Sequence, residues 1–118
     1  MNSLNFEPSL IKKTYQFYLQ SHWVLNKFPK KYRYSLAVKI ENNLLEIIEL
    51  IFLANVNIKN LREPIIHRAS AKCDLLRIFL RLASDLNLIN AHQYLNLQNQ
   101  LSEIGKMIGG WLKFLRTQ

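Results

Sequence analysis

Apolar residues recur along this chain at spacings of three and four, which is the periodicity of helices with one buried side. Strict alternation of apolar and polar residues, the mark of a strand, is absent. In the first predicted helix, residues 9–26, one side of a helical wheel carries Ile11, Tyr15, Tyr18, His22 and Leu25. Pro29 then ends this helix, because proline cannot continue a helix but can open the next one.

The second predicted helix, residues 32–56, is apolar over more than half of its circumference. Its polar side chains form only a narrow strip, which consists of Lys39, Asn42, Glu46 and Glu49. A helix this apolar needs partners on more than one side. We therefore expect it to make contacts between subunits as well as contacts in the core.

The third and fourth predicted helices span residues 61–86 and 91–116. Asn60 with Glu63, and Asn90 with Gln93, have the spacing of capping boxes at their starts. The expected core stripes are Ile65, Ala69, Leu76, Leu80 and Ala83 in the third helix, and Leu97, Leu101, Ile104, Ile108, Leu112 and Leu115 in the fourth. Short links between long helices predict an antiparallel up-down-up-down four-helix bundle in one domain, residues 1–118.

Three glycines interrupt the last predicted helix, where each costs roughly 0.5–1 kcal/mol relative to alanine. Gly105 and Gly109 are four apart, so they allow another helix to approach closely, either inside the bundle or from another subunit. Gly110 lies on the opposite flank. A second apolar strip, outside the predicted core, consists of Met107, Trp111 and Phe114. Two apolar surfaces on one helix favour oligomerisation.

The chain is strongly basic, with sixteen Lys and Arg residues against eight Asp and Glu residues and a net charge of +8. This balance favours a polyanionic partner, usually nucleic acid and sometimes an anionic membrane, although a charged surface also serves solubility. The candidate binding residues are Lys27, Lys30, Lys31, Arg33 and Lys39 at the junction of the first two helices, with Tyr32 and Tyr34 between them, and Arg68, Lys72, Arg77 and Arg81 on the third. Ion pairs of Arg77 with Asp74 and of Arg81 with Asp85 are the alternative interpretation of that helix.

Metal and redox chemistry find little support in the sequence. Cys73 is the single cysteine, so an intrachain disulfide is excluded and no Cys/His cluster has metal-ligand spacing. The N-terminus lacks the layout of a signal peptide, and the apolar run 47–54 is too short to cross a bilayer. We expect a soluble cytoplasmic protein without a metal or cofactor.

Catalytic patterns are equally sparse. The chain has no glycine-rich phosphate loop, nucleophile elbow or close pair of carboxylates. Arg62 and His67 match Arg-x4-His, the loose signature of the HEPN ribonucleases, but Glu63 and Pro64 between them disfavour that chemistry. His22 is predicted to be a core residue and His92 an exposed one. The sequence therefore predicts a protein that is not an enzyme, with a HEPN-type ribonuclease as the alternative.

Three segments together resemble the accessory proteins of diversity-generating retroelements, called Avd. They are FPKKYRYSLAVKIE (28–41), LLRIFLRLASDLNLINAHQY (75–94) and LSEIGKMIGGWLKFL (101–115). More distantly, the chain is similar to four-helix proteins encoded in intervening sequences of large-subunit ribosomal RNA genes, whose role is obscure. The glycine-containing run before Trp111 is the most distinctive part of the match.

The resemblance implies a homopentameric barrel of four-helix bundles with a basic surface, found in bacteria or their phages. It implies binding to a reverse transcriptase and its template RNA, in support of mutagenic cDNA synthesis. Arg77 and Arg81 match the family's pair of Leu-Arg steps four residues apart, and Lys30, Lys31 and Arg33 match its basic segment after the proline. Some members have a long basic C-terminal tail, and contacts made by such a tail are not expected here.

Overall fold

The computed structural model describes residues 7–117, with side chains from residue 9 onward, and the regular structure of this part is entirely helical. The helices are α1 (Glu7–Leu25), α2 (Lys30–Arg33), α3 (Leu36–Val56), α4 (Lys59–Asp85) and α5 (Ala91–Arg116). Four of the five are long, and they confirm the predicted four-helix bundle. The predicted N-terminal features on residues 1–6, and residue 118, lie outside the described residues.

The long helices close a ring in which α3 packs against both α1 and α4, and α5 packs against both α4 and α1. Short turns connect them, so consecutive helices run antiparallel. α4 has 27 residues and is therefore about 40 Å long at 1.5 Å per residue. The molecule measures 46 × 23 × 19 Å, so α4 spans most of its length.

The second predicted helix is in fact two helices. α2 is a single turn that follows Pro29, and Tyr34 and Ser35 separate it from α3. None of the residues of α2 is buried. Tyr32 packs only partly buried against the core, and this contact does not hold the turn in line with α3. The prediction of one continuous helix from residue 32 was therefore wrong.

The core stripe of α1 also differs from the prediction. Tyr15 is 59% exposed, and the inward positions are Leu10, Thr14, Phe17, Ser21 and Leu25. The hydroxyl of Thr14 donates to the carbonyl of Leu10 at 3.0 Å, which allows a polar side chain to be buried. Two small polar residues on the buried side concealed the true stripe from a pattern based on hydrophobicity.

The stripes of α4 and α5 are closer to the prediction. Ile66 rather than Ile65 is fully buried in α4, and Cys73 joins the core. All predicted positions of α5 are buried except Leu115, which is partly buried. Trp111 is 0% exposed and belongs to this core, so the predicted second strip outside it was wrong. Three residues after Ile108 and seven after Ile104, this position lies on the buried side of the helix.

Only one of the two predicted capping boxes forms. At the start of α5, Asn90 Oδ1 accepts from the backbone of Gln93 at 2.8 Å, and Gln93 Oε1 accepts from the backbone of Asn90 at 2.9 Å. α4 instead begins at Lys59 with Ile58 in the cap position and no side-chain cap. Its start is two residues earlier than the predicted helix, which places Asn60 inside it.

The buried thiol of Cys73 gives the core a measurable signature. Burial raises its pKa to about 12, with smaller opposing effects of the Arg77 and Asp74 charges. The folded state thus holds this proton more tightly than the unfolded chain does. The contribution to stability is complete below about pH 9 and falls as the pH rises toward 12.

We expect the native protein at pH 8 to resist a thiol reagent that labels the chain fully in guanidinium. Between pH 9 and 10.5 the wild type should lose about 2 kcal/mol more unfolding free energy than Cys73→Ala, measured by denaturant titration. The pKa of Tyr18 is also raised, chiefly by its hydrogen bond to Glu41, but Tyr18 is present in both proteins. The difference in their unfolding free energies therefore reports on the thiol. Native labelling as fast as that of the unfolded chain would contradict the buried position.

Candidate nucleic-acid interface

The turn between α1 and α3 carries the densest group of cations in the described chain. This corner cluster consists of Lys27, Lys30, Lys31, Arg33 and Lys39, and all five residues are exposed. Pro29 ends α1 and starts α2, and the buried ring of Phe28 fixes the turn to the core. The guanidinium of Arg33 lies near the Phe28 carbonyl, with both contacts at 3.4 Å. The fold therefore presents these cations on one solvent-facing corner.

No acidic residue occurs in residues 27–39, and none of the ion pairs among the described side chains includes a member of the corner cluster. The next acid along the chain, Glu41, already accepts a hydrogen bond from the hydroxyl of Tyr18 at 2.7 Å and lies 3.4 Å from His22 Nδ1. The positive potential of this corner is therefore not neutralised by nearby carboxylates.

Two tyrosines stand among these cations. Lys31 Nζ lies 5.5 Å from the centroid of the Tyr32 ring, within the range of a cation–π contact. Tyr34 is 71% exposed and lies in the break between α2 and α3. Tyr32 is partly buried against the core, so Tyr34 is the exposed ring. An exposed aromatic ring beside cations is the combination that binds unpaired nucleotides, since a base can stack while its phosphate is neutralised.

The candidate binding residues of α4 are in a different situation, because three of the four have acidic partners. Lys72 Nζ lies 3.2 Å from Glu46, and Arg81 Nε lies 3.4 Å from Asp85. Arg77 Nε is 3.9 Å from Asp74, at the limit of an ion pair. Arg68 is exposed and takes part in none of the ion pairs formed by the described side chains. The ion pairs with Asp74 and Asp85, which were the alternative interpretation of Arg77 and Arg81, are therefore present.

Arg77 also links α4 to α5. Its Nη1 donates to Ser102 Oγ at 3.0 Å, and its backbone carbonyl accepts from the Gln98 amide at 3.3 Å. Arg77 and Arg81 border a shallow cleft with Ile78, Tyr94 and Gln98. Lys72 faces α3 instead, so the structure separates it from the arginine pair.

The glycines of α5 have different surroundings. A Cβ atom at Gly105 would lie 2.9 Å from Arg77 Nη2, so this glycine admits the arginine side chain within the bundle. At Gly109 and Gly110 a Cβ atom would meet nothing within 4 Å, and both residues are exposed. Packing inside the bundle was one of the two predicted explanations for Gly105 and Gly109. It accounts for Gly105 but not for Gly109.

An apolar groove runs between α3 and α4, with a volume of about 930 Å³. We call it the α3–α4 groove. Its apolar lining includes Val38, Leu45, Leu75, Phe79, Leu82 and Leu86. Tyr34 and Lys39 join its end to the corner cluster, and the Lys72–Glu46 pair lies along it. The α4 side of this groove was not predicted. Leu75 and Leu82, seven residues apart and outside the predicted stripe, were the available signal.

Two of the histidines, His22 and His92, have different surroundings. His22 is half-buried rather than a core residue, because Glu41 on α3 holds its ring at the edge of the bundle, while Asn26 Nδ2 lies 3.2 Å from the other ring nitrogen. His92 is exposed, as predicted. Within residues 7–117 there is no group of three or more His, Cys, Asp or Glu side chains that could hold a metal ion.

The Arg62–His67 pair lies in the first turns of α4. Arg62 Nε donates to the Asn57 carbonyl at 2.9 Å, and His67 is exposed. Residues five apart on a helix point about 140° apart. Pro64 lies within the helix between them. The arginine therefore secures the α3–α4 turn, on a different side of α4 from the histidine.

These features define a class of protein: a small basic four-helix bundle with an exposed apolar groove and an unneutralised cationic corner. A sequence model of the bAvd-like family matches residues 9–115, and the chain belongs to this family. The match confirms the resemblance to the Avd accessory proteins. A search of curated proteins found no significant match. Among the described helices, none is long and apolar enough to cross a membrane.

The two exposed glycines allow a direct test of what α5 contacts. In the isolated chain, Gly109→Ala and Gly110→Ala should each stabilise folding by about 0.5–1 kcal/mol, because alanine restricts the unfolded backbone and its methyl group meets no atom. Denaturant titration of a monomeric sample measures this gain.

Gly105→Ala is the matched control, since its methyl group must displace the Arg77 guanidinium and the hydrogen bond to Ser102. We expect its stability gain to be smaller than at the other two sites. A loss of stability in monomeric Gly109→Ala would show that this glycine does pack within the bundle.

Proposed function

We propose that this protein is the accessory subunit of a diversity-generating retroelement. It binds the reverse transcriptase and the template RNA in the cytoplasm, as a homopentamer, and supports mutagenic cDNA synthesis without catalysing a reaction itself. Membership of the bAvd-like family supports the retroelement role. The observation that carries RNA binding is the corner cluster, five exposed cations that have no acidic neighbour within residues 27–39.

Electrostatics favour the corner cluster over the arginine pair as the first RNA contact. A phosphate that approaches Lys30, Lys31 or Arg33 neutralises a charge that no carboxylate already offsets. A phosphate at Arg77 or Arg81 must instead compete with Asp74 or Asp85. Exposed ion pairs contribute only about 0–1 kcal/mol, so the arginines can still assist, but the local potential is lower there.

Single-stranded segments of the template RNA fit this corner better than a duplex does. The exposed ring of Tyr34 offers a stacking surface that only an unpaired base can reach. The cations on α2 then lie one to four residues from this ring along the chain, within reach of the flanking phosphates.

The corner cluster is tested with the triple variant Lys30→Ala/Lys31→Ala/Arg33→Ala. Its affinity for a single-stranded template RNA should fall at low salt, and the slope of log K against log salt should decrease by about two if all three cations contact phosphates. The reverse transcriptase is assayed in parallel at the same salt concentrations. Circular dichroism should show an intact bundle, because none of the three side chains is buried.

Two comparison variants locate the site. Lys59→Ala/Lys106→Ala/Lys113→Ala removes the same charge from exposed residues elsewhere and should change binding less. Arg77→Ala/Arg81→Ala should have an intermediate effect. Equal losses in both triple variants would mean that only the net charge matters, and a greater loss in the arginine variant would move the site to the α4–α5 cleft.

The non-enzymatic role is tested at His67. Because Arg62 is engaged by the Asn57 carbonyl and lies on another side of α4, we expect His67→Ala to leave RNA binding and support of cDNA synthesis unchanged. Incubation of purified protein with labelled RNA measures cleavage directly. Cleavage by the wild type that disappears in His67→Ala would establish the HEPN-type ribonuclease instead.

A further inference from the structure

A row of apolar side chains on α1 faces solvent. This α1 ridge consists of Tyr15, Leu19 and Trp23, four residues apart, so all three lie on one side of the helix. Tyr15 is 59% exposed and Trp23 is 65% exposed. The His22 ring contacts the indole of Trp23 edge to face, with ring centroids 5.3 Å apart. The ridge is therefore an ordered, convex surface with two large aromatic groups, which are the side chains that most often dominate protein interfaces.

We propose that the α1 ridge of one copy docks into the α3–α4 groove of the next copy. This contact is head to tail. It rests on the homopentamer of the proposed function and assigns the two surfaces through which neighbouring subunits would bind each other. A closed ring requires such a heterologous contact, because each subunit must present two different complementary surfaces.

The two surfaces lie on different sides of the bundle. α1 packs against α3 and α5, whereas the groove lies between α3 and α4. One subunit can therefore offer its ridge to one neighbour while its groove receives another. A pair of copies joined groove to groove would leave both ridges exposed.

The dimensions of ridge and groove agree. Tyr15 and Trp23 are eight residues apart, or about 12 Å along a helix at 1.5 Å per residue. On the groove walls, Val38 to Leu45 spans about 10 Å and Leu75 to Leu86 about 16 Å by the same rise. The three ridge side chains thus cover a length that the groove can receive.

The distribution of charge, rather than the net charge, favours the ridge of a second copy as the occupant. The chain carries +8, so most approaches of two copies are repulsive. Residues 14–26, which contain the whole ridge, include no Lys, Arg, Asp or Glu. Within the groove, Lys72 and Glu46 already neutralise each other. Lys39, the other cation of the lining, lies at the end of the groove beside the corner cluster. The ridge can therefore enter the rest of the groove without burying an unpaired charge.

The first half of α5 is also uncharged, but it exposes Leu95 as a single apolar side chain rather than a row. Leu95 is 59% exposed, which equals the exposure of Tyr15. It therefore serves as a matched control for substitutions in the ridge.

The test uses one variant of each face. Leu19→Lys/Trp23→Lys alters the ridge and Leu45→Lys/Leu82→Lys alters the groove, with exposed positions chosen in both. By light scattering at micromolar concentration, the wild type should have five times the 14.0 kDa chain mass, and each variant alone should be a monomer. A 1:1 mixture should form a heterodimer, because the intact ridge of the groove variant fits the intact groove of the ridge variant. Leu95→Lys should assemble like the wild type.

Other outcomes overturn the assignment. If the ridge variant assembles alone, the ridge is not part of the contact. If the groove variant assembles alone, the groove is not part of it. A mixture that stays monomeric while both proteins are folded by circular dichroism would exclude the ridge–groove contact. A monomeric wild type would exclude self-assembly and leave the groove to a different protein.

A second measurement does not depend on the lysine variants folding. Mixed Leu19→Cys and Leu82→Cys proteins should form disulfide-linked heterodimers in preference to either homodimer under mild oxidation, since Cys73 is buried. Preferential homodimers would contradict the head-to-tail contact. RNA binding is measured with the corner-cluster variants, so failure of the interface and failure of the proposed function give separate results.

Discussion

The structure depends on how much apolar surface four helices can bury among themselves. α3 has buried positions such as Ile40, Leu44, Ile47 and Ile51 against its neighbours, yet Val38, Leu45 and Phe52 remain exposed on the same helix. Burial of apolar area is the main favourable term in folding, at roughly 25 cal/mol per Å². A ring of four helices covers the inward side of α3 and leaves a second apolar side uncovered, which creates the α3–α4 groove. The exposed surface of the bundle is thus a direct consequence of the composition of its most apolar helix.

Charge is arranged around this apolar surface in two distinct ways. Along α4, three cations are paired with acids on the same or the adjacent helix: Lys72 with Glu46, Arg77 with Asp74 and Arg81 with Asp85. At the α1–α3 turn the cations have no such partners. A uniform excess of charge would serve solubility alone, whereas a corner free of acids concentrates the potential where a polyanion can use it. The distribution of acids, more than the count of cations, distinguishes the two regions.

The sequence was sufficient to predict the fold, because four long amphipathic segments with short links permit few other arrangements. Its errors came from residues whose polarity does not match their position. Thr14 and Ser21 face the core, so the stripe of α1 was displaced by one residue toward Tyr15. Trp111 was assigned to the surface although its spacing from Ile104 and Ile108 places it in the core. α2 separates from α3 because none of its residues is buried, a property that no local pattern encodes.

The candidate site was predictable only in its composition. Both groups of cations could be identified from the chain, but which of them keeps its charge free depends on partners that are distant in sequence, such as Glu46 for Lys72 across 26 residues. The same is true of Gly105, whose neighbour Arg77 comes from another helix. Sequence patterns give the faces of helices, and tertiary packing decides what meets each face.

The proposed self-assembly and the proposed RNA binding would be physically linked in a protein this basic. Subunits that each carry +8 repel one another, so a ring of copies is favoured only if its contacts are apolar and its charges point elsewhere. The uncharged segment 14–26 meets the first requirement, and the corner cluster, with Lys39 at the end of the groove, brings cations beside the contact rather than into it. In the proposed ring, repetition of this corner around the axis raises the local potential with each added subunit. An RNA strand that neutralises several corners at once would then relieve the repulsion between neighbours, so assembly and polyanion binding would stabilise each other through the same cations.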